Sequence, residues 1–203
     1  SFTDVELVDA ASASCAEVVW DVLEIMGVKA DRAIAEAIYV GVSTDTGCFR
    51  YANTNAHTFA TAAACVATGA NVQPINQALF ETNSLARLKV QSYMLENAVF
   101  LQDGKIAICP LPKAVEKNCG AGEDDLDNIS GFPRTIEGVK LAVTIREEGT
   151  ERVKMSVRAV PGQDASALCA KFGGGGHKGA AGASMKMTLN EAALAVEKAM
   201  LEL

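Results

Sequence analysis

The sequence predicts an α/β chain in two parts, an all-helical N-terminal piece followed by an α+β domain. Three observations carry this. Through the first half, apolar residues recur at helical spacing and no segment alternates as a strand does. The texture then changes in NAVFLQDGKIAICPL, where apolar and polar residues alternate around Asp103-Gly104, a strong hairpin signal. The chain closes on NEAALAVEKAMLEL, an amphipathic helix. The boundary falls near residues 83–95, giving parts at 1–85 and 95–203.

In the first part, DAASASCAEVVWDVLEIMG carries Cys15, Val18, Val19, Val22 and Met26 at helical spacing, with Ser12 or Ser14 as its cap and Gly27 at its end. A second helix runs from Asp31 towards Val42 and delivers the chain to STDTGCFRY. The alanine-rich NAHTFATAAACVATGA forms the third, with Thr54 as the expected cap and Gly69 as the stop. A short helix at 73–80 and a longer one at 84–96 follow.

The second part continues from the hairpin through an acidic, glycine-containing stretch, GAGEDDLDNISG, read as a solvated helix start. Two strands, GVKLAVTIRE and ERVKMSVRAV, are joined at Glu148-Gly149-Thr150. A helix over 164–171 leads into FGGGGHKGAAG, then a strand at ASMKM and the closing helix. Four consecutive glycines suit neither a helix nor a strand interior, because glycine costs the most entropy to order. The run is expected to be a tight loop.

Composition bounds the rest. Of the 203 residues 49% are apolar, enough for a core, and no apolar run is long enough to span a bilayer. No signal peptide is evident, so the expectation is a soluble, cytoplasmic protein without a membrane partner. Six scattered cysteines with no CxxC read as reduced, mostly buried thiols. A net charge of −7 argues against broad binding of long nucleic acid, which needs a basic face. It leaves room for a small anionic ligand held by a few cations and backbone amides.

Three segments carry candidate chemistry. The glycine run contains GxGxxG (Gly174, Gly176, Gly179), but a helix precedes it and no GK[ST] follows, which excludes dinucleotide and P-loop fingerprints. Two readings stay open, a structural turn or an anion site built from the amides of Gly173, Gly174, Gly175 and Gly176 with His177 and Lys178 beside them. Asp45, between two threonines, is either a turn-stabilising carboxylate or a ligand for a hard divalent cation. Arg50 and Tyr51 follow it, offering a guanidinium for phosphate and a ring for a base. Arg158 lies in a strand pattern and either faces solvent or joins the glycine run. His57 reads as a surface residue, and no Ser-His-Asp arrangement can be assembled.

Taken in order, STDTGCFRYANT, DDLDNISGFPRTIEGVKLAVTIRE, VKMSVRA and FGGGGHKGAAG resemble the DHH phosphoesterase family, in its oligoribonuclease and 3′-phosphoadenosine-5′-phosphate phosphatase branch. The resemblance covers essentially the whole chain. It implies a helical C-terminal remnant of a DHH catalytic domain followed by an α+β DHH-associated domain that binds substrate. It also implies a pair of manganese ions, for which Asp45 matches the last metal-binding carboxylate. Arg158, His177 and the glycines 173–176 match the substrate-binding side, with Arg50 and Tyr51 joining by adjacency.

The family's earlier metal motifs, including its Asp-His-His, belong upstream of SFTDVELVD. The chain thus reads as the C-terminal part of a family member, inactive alone. The partner implied is a short RNA or nucleotide, and a homodimer is admitted. The reading from another class is a non-catalytic nucleotide- or RNA-binding module.

Overall fold

The computed structural model describes Asp4 and residues 6–201. The chain divides into two compact units, Ser1–Thr82 and Asn83–Leu203.

The first unit is helical: α1 (Cys15–Ile25), α2 (Arg32–Asp45), α3 (Ala56–Ala67) and α4 (Val72–Asn76), the last running into a π-helical turn at Gln77–Glu81. Ser14 caps α1 by accepting the Glu17 amide, and the Glu17 carboxylate accepts the Ala13 amide in return. Asp31 caps α2 through the Ile34 amide. The cap of α3 is Asn55 rather than the expected Thr54. Its side-chain oxygen accepts the amides of His57 and Thr58 at 2.8 and 3.2 Å, and the Thr58 hydroxyl accepts the Asn55 amide. An amide side chain reaches two orphan donors there, whereas the Thr54 hydroxyl is buried without a partner. Trp20, Ile38, Tyr39, Val42 and Cys65 fill the core. At Gly41 a Cβ would sit 2.7 Å from the Ala16 Cβ, so glycine lets α1 and α2 approach closely.

The second unit opens with α5 (Leu85–Glu96), capped by Ser84 through the Arg87 amide. Its sheet comprises β1 (Val99–Leu101), β2 (Ile106–Leu111), β3 (Leu141–Gly149), β4 (Arg152–Ala159), β5 (Gly175–His177) and β6 (Ala180–Met185). The spatial order is β1-β2-β3-β4-β6-β5. The β2–β3 pair is parallel and every other pair is antiparallel. A parallel pair needs a long crossover. Here it carries α6 (Lys113–Cys119), α7 (Glu123–Leu126) and a 3-10 segment, Ile129–Thr135. Next come α8 (Ala165–Ala170), capped by Asp164, and α9 (Leu189–Leu201).

Alternation sorts the strands' side chains onto two faces. Ile108, Val143, Ile145, Val153, Met155, Val157 and Met185 pack with Leu168 of α8 and Val196 and Met200 of α9 into the largest core. On the opposite face, Cys109 and Leu111 of β2 lie under Val90 and Met94 of α5 and under Leu126 and Ile129. Of that cover the 3-10 segment reaches β4, and beyond it β6 and β5 carry small residues, glycines and His177 on the same face.

The glycine run departs from the tight loop expected of it. Gly175–His177 is an edge strand paired antiparallel to β6. Glycine is a poor strand former in general, but only bare backbone fits here. A Cβ at Gly174 would lie 2.2 Å from the Gly182 carbonyl oxygen. At Gly176, with φ +144°, it would lie 2.6 Å from the Ala181 Cα. Gly173, at φ +72°, turns the chain out of α8.

Candidate functional site

In the first unit, α2 ends at Asp45 and the chain turns sharply. Gly47, Cys48 and Phe49 are all left-handed, at φ 57°, 58° and 62°. Two consecutive non-glycine residues in that region are costly unless the surroundings hold them. Here the Phe49 ring stacks on Phe59 with centroids 5.3 Å apart and leans on Tyr39 at 6.1 Å, anchoring the turn in the helical core. The Thr46 hydroxyl donates to the Val42 carbonyl at 2.7 Å and accepts the Phe49 amide at 3.1 Å. The half-exposed Tyr51 ring also lies where a Gly47 Cβ would be, so a larger residue there would displace that ring.

Asp45 itself is exposed, and Asn53 donates to its backbone carbonyl. Arg50 donates from Nε to the Gly47 carbonyl at 2.6 Å, so part of its guanidinium is committed to the turn. Tyr51 is half exposed. His57 is 3.1 Å from Asp21 on the surface. Among the described residues no three His, Cys, Asp or Glu side chains come together as a metal ion would need.

In the second unit, strand register brings two sequence candidates together. Arg158 pairs with Ala180, and Ala180 pairs with His177. The three form one cross-strand row, so their side chains leave the same face of the sheet. Arg158 and His177 are two strands apart, about 10 Å between backbones, with only the Ala180 methyl between them. Arg158 donates to the Val157 carbonyl at 3.2 Å and has no carboxylate partner among the described residues. Of the run's glycines, Gly175 alone has neither a left-handed φ nor a neighbour within 4 Å of its missing Cβ. It stands on the same face as His177, two residues away, over open space.

Beside this row lies a cavity of about 290 Å³ that includes Arg158 in its lining. Its floor is β3 and β4, through Thr144, Arg146, Lys154 and Ser156, and its wall is the segment from Glu123 to Ser130. Arg146 is not a free cation. Its guanidinium contacts both oxygens of Glu116, one at 3.1 Å, and both of Glu123, at 3.0 and 3.2 Å. Hydrogen bonds from Arg146 hold the Glu123 carboxyl below its ordinary range. Glu116 is only 6% exposed, and a buried carboxylate needs such a partner. Arg87 fixes the wall by donating to the carbonyls of Asp125 and Asp127 at 2.9 and 2.7 Å.

The sequence reading passed over Thr144, Ser156 and Lys154. Lys154 and Ser156 precede Arg158 at strand spacing and were legible as sharing its face. Thr144 emerges only through pairing with Ser156. A second hollow, about 300 Å³ in the first unit, lies among Trp20, Leu23, Val28 and Lys29 and contains none of the candidates.

Residues 107–202 match the DHHA1 domain family. A curated protein of Thermus thermophilus named bifunctional oligoribonuclease and PAP phosphatase NrnA is 34% identical over 91% of this chain and 55% of its own length. Its namesake in Bacillus subtilis is 26% identical over 91% of this chain and 58% of its own. The chain thus spans a little over half the length of these relatives. The crystal structure of an exopolyphosphatase-related protein from Bacteroides fragilis matches all of the chain and 60% of its own, at 28% identity and a TM-score of 0.90.

Proposed function

We propose that the chain, whose residues 107–202 match the DHHA1 domain family, is part of a DHH-family protein and serves phosphoester hydrolysis on short oligoribonucleotides, dinucleotides or 3′-phosphoadenosine-5′-phosphate. Its second unit is the part that holds the substrate. The names of the Thermus and Bacillus relatives support this substrate class. The observation that carries the reading is the row Arg158–Ala180–His177 on an open sheet face, with Arg158 free of any carboxylate among the described residues. A guanidinium and an imidazole flanking a bare methyl and the open Gly175 suit a nucleotide phosphate, which both side chains reach while backbone lies beneath.

The family's chemistry is metal-assisted, with manganese as the expected ion. Asp45 is the carboxylate assigned to such a site among the described residues, and Arg50 and Tyr51 stand next to it in sequence. One carboxylate does not hold two ions, so the chain by itself binds substrate without turning it over. Manganese-dependent hydrolysis of 5′-phosphorylated diadenylate by the purified chain, above a blank, would refute that part.

Binding tests the rest. Charge-assisted hydrogen bonds contribute about 1.5–3 kcal/mol each. Arg158→Ala and His177→Ala are therefore each expected to weaken 5′-AMP binding by about ten- to a hundredfold in titration calorimetry. Unchanged affinity in both variants would leave the glycine-histidine segment a purely structural strand.

A further inference from the structure

The helix α5 carries apolar residues on two opposite faces, and its own unit uses one of them. Val90 and Met94 are fully buried against Cys109, Leu111, Leu126 and Ile129. On the far side Leu85, Leu88 and Leu95 stand 67%, 47% and 47% exposed. With Ser92 among them they follow a 3-4-3 spacing, the a and d positions of two heptads. Exposed leucines scattered singly are ordinary, but a seam at coiled-coil spacing along one 12-residue helix is a surface built to be covered.

The charges beside the seam decide what covers it. Lys89 and Glu96 hold the same flanking position one heptad apart, each following a seam leucine. Lys89 has no carboxylate partner among the described residues. Glu96 accepts the Ser92 hydroxyl at 3.1 Å, one turn back on the same helix. Two copies of α5 packed antiparallel about a two-fold axis beside Ser92 bring Leu88 of each against Leu95 of the other. The same register sets each Lys89 opposite the other copy's Glu96, so both ion pairs form at once. A parallel pair would set these charges opposite Ser84 and Gln91, which carry none. The seam is therefore complementary to itself in one direction only.

We propose that the outer face of α5 is a homodimer interface, with a second copy of this chain as its occupant. Leu85, Leu88 and Leu95 supply the apolar contact, Ser92 lets the helices approach at the axis, and the Lys89–Glu96 pairs fix the antiparallel direction. The seam is about 15 Å long, so the interface is small and the dimer forms reversibly.

Sedimentation velocity of the chain between about 1 µM and 1 mM is expected to show monomer passing into dimer. Leu88→Glu should weaken dimerisation at least about a hundredfold. It should keep Tm, because Leu88 lies outside the core. Lys89→Glu and Glu96→Lys should each weaken it at least about tenfold by setting like charges opposite one another. Mixing those two variants restores a complementary pair at both positions, so the mixture should dimerise about as well as the parent chain.

A chain that stays monomeric throughout this range overturns the proposal and leaves the seam to some other partner. A dimer that Leu88→Glu does not weaken overturns it by placing the interface elsewhere. Charge variants that fail to recover on mixing overturn the antiparallel pairing on which it stands.

Discussion

Four adjacent glycines serve different ends, and the chemistry of a missing Cβ separates them. At Gly174 an added Cβ meets the Gly182 oxygen at 2.2 Å, and at Gly176 it meets Ala181 at 2.6 Å with φ at +144°. Backbone cannot yield as a flexible side chain would, so Gly174→Ala is expected to cost at least about 2 kcal/mol in urea unfolding. Gly175→Ala meets nothing and is expected to change stability by less than about 0.5 kcal/mol. Its new methyl would project onto the face shared by Arg158 and His177, and should weaken 5′-AMP binding without unfolding the chain. A Gly175→Ala variant with wild-type affinity would show that no ligand lies over this strand. The residue scale thus separates a glycine kept for the fold from one kept for what binds there.

At the scale of elements, several starts in the second unit depend on ionised carboxylates. Asp164 caps α8 through the Ser166 and Ala167 amides, and the Ser166 hydroxyl bond leads in holding its carboxyl below the ordinary range. Asp125 is lowered first by the Ser84 hydroxyl and then by the Gly122 amide. Glu191, ahead of the body of α9, is lowered by the Thr188 amide and hydroxyl. Each has a folded pKa below its unfolded one. Its contribution is fully present above the unfolded value, about 4, and disappears as pH falls through the lowered folded value. The urea midpoint should therefore hold between pH 7 and 5 and fall below about pH 4. Asp164→Asn keeps a capping oxygen but cannot titrate, so part of that fall should vanish; an unaltered pH profile would show that the cap's charge plays no part. The sequence reading named none of these caps, although Asp164 and Glu191 lie within three residues of the amides they hold. The π-helical turn at Gln77–Glu81 was not legible, since no local residue signals it.

For the whole molecule, the seam decides what folds by itself. The sequence boundary places residues 95–203 in the second part, whereas the contacts place the division at Thr82–Asn83. The difference is α5. Its Val90 and Met94 are fully buried against Cys109, Leu111, Leu126 and Ile129. A piece starting at residue 95 would uncover that second core, and losing even one such large side chain costs about 2–5 kcal/mol. Residues 83–203 are expected to unfold cooperatively on heating, and residues 95–203 to melt at least about 5 °C lower or without a cooperative transition. Equal melting temperatures would show that α5 is an ornament to the second unit. Periodicity marked α5 correctly as a helix, but it carries no information on which neighbours a helix buries its face against.

The sequence by itself determined what short-range physics controls. The 3.6-residue recurrence of apolar positions fixed the helices, alternation fixed the strands around Asp103-Gly104, and of the two caps expected for the first helix, Ser12 or Ser14, Ser14 is the one observed. The ordered motifs carried the family resemblance, because DTG and the glycine-histidine run are specific as strings. Tertiary structure alone decided the strand order β1-β2-β3-β4-β6-β5, the parallel β2–β3 pair and the conversion of a glycine run into an edge strand. It alone set Arg158, Ala180 and His177 in one row and left the Thr144 hydroxyl without a partner above a cavity. Strand register is fixed by which face of each strand is buried, summed over partners far apart in the chain, and no local segment encodes that sum.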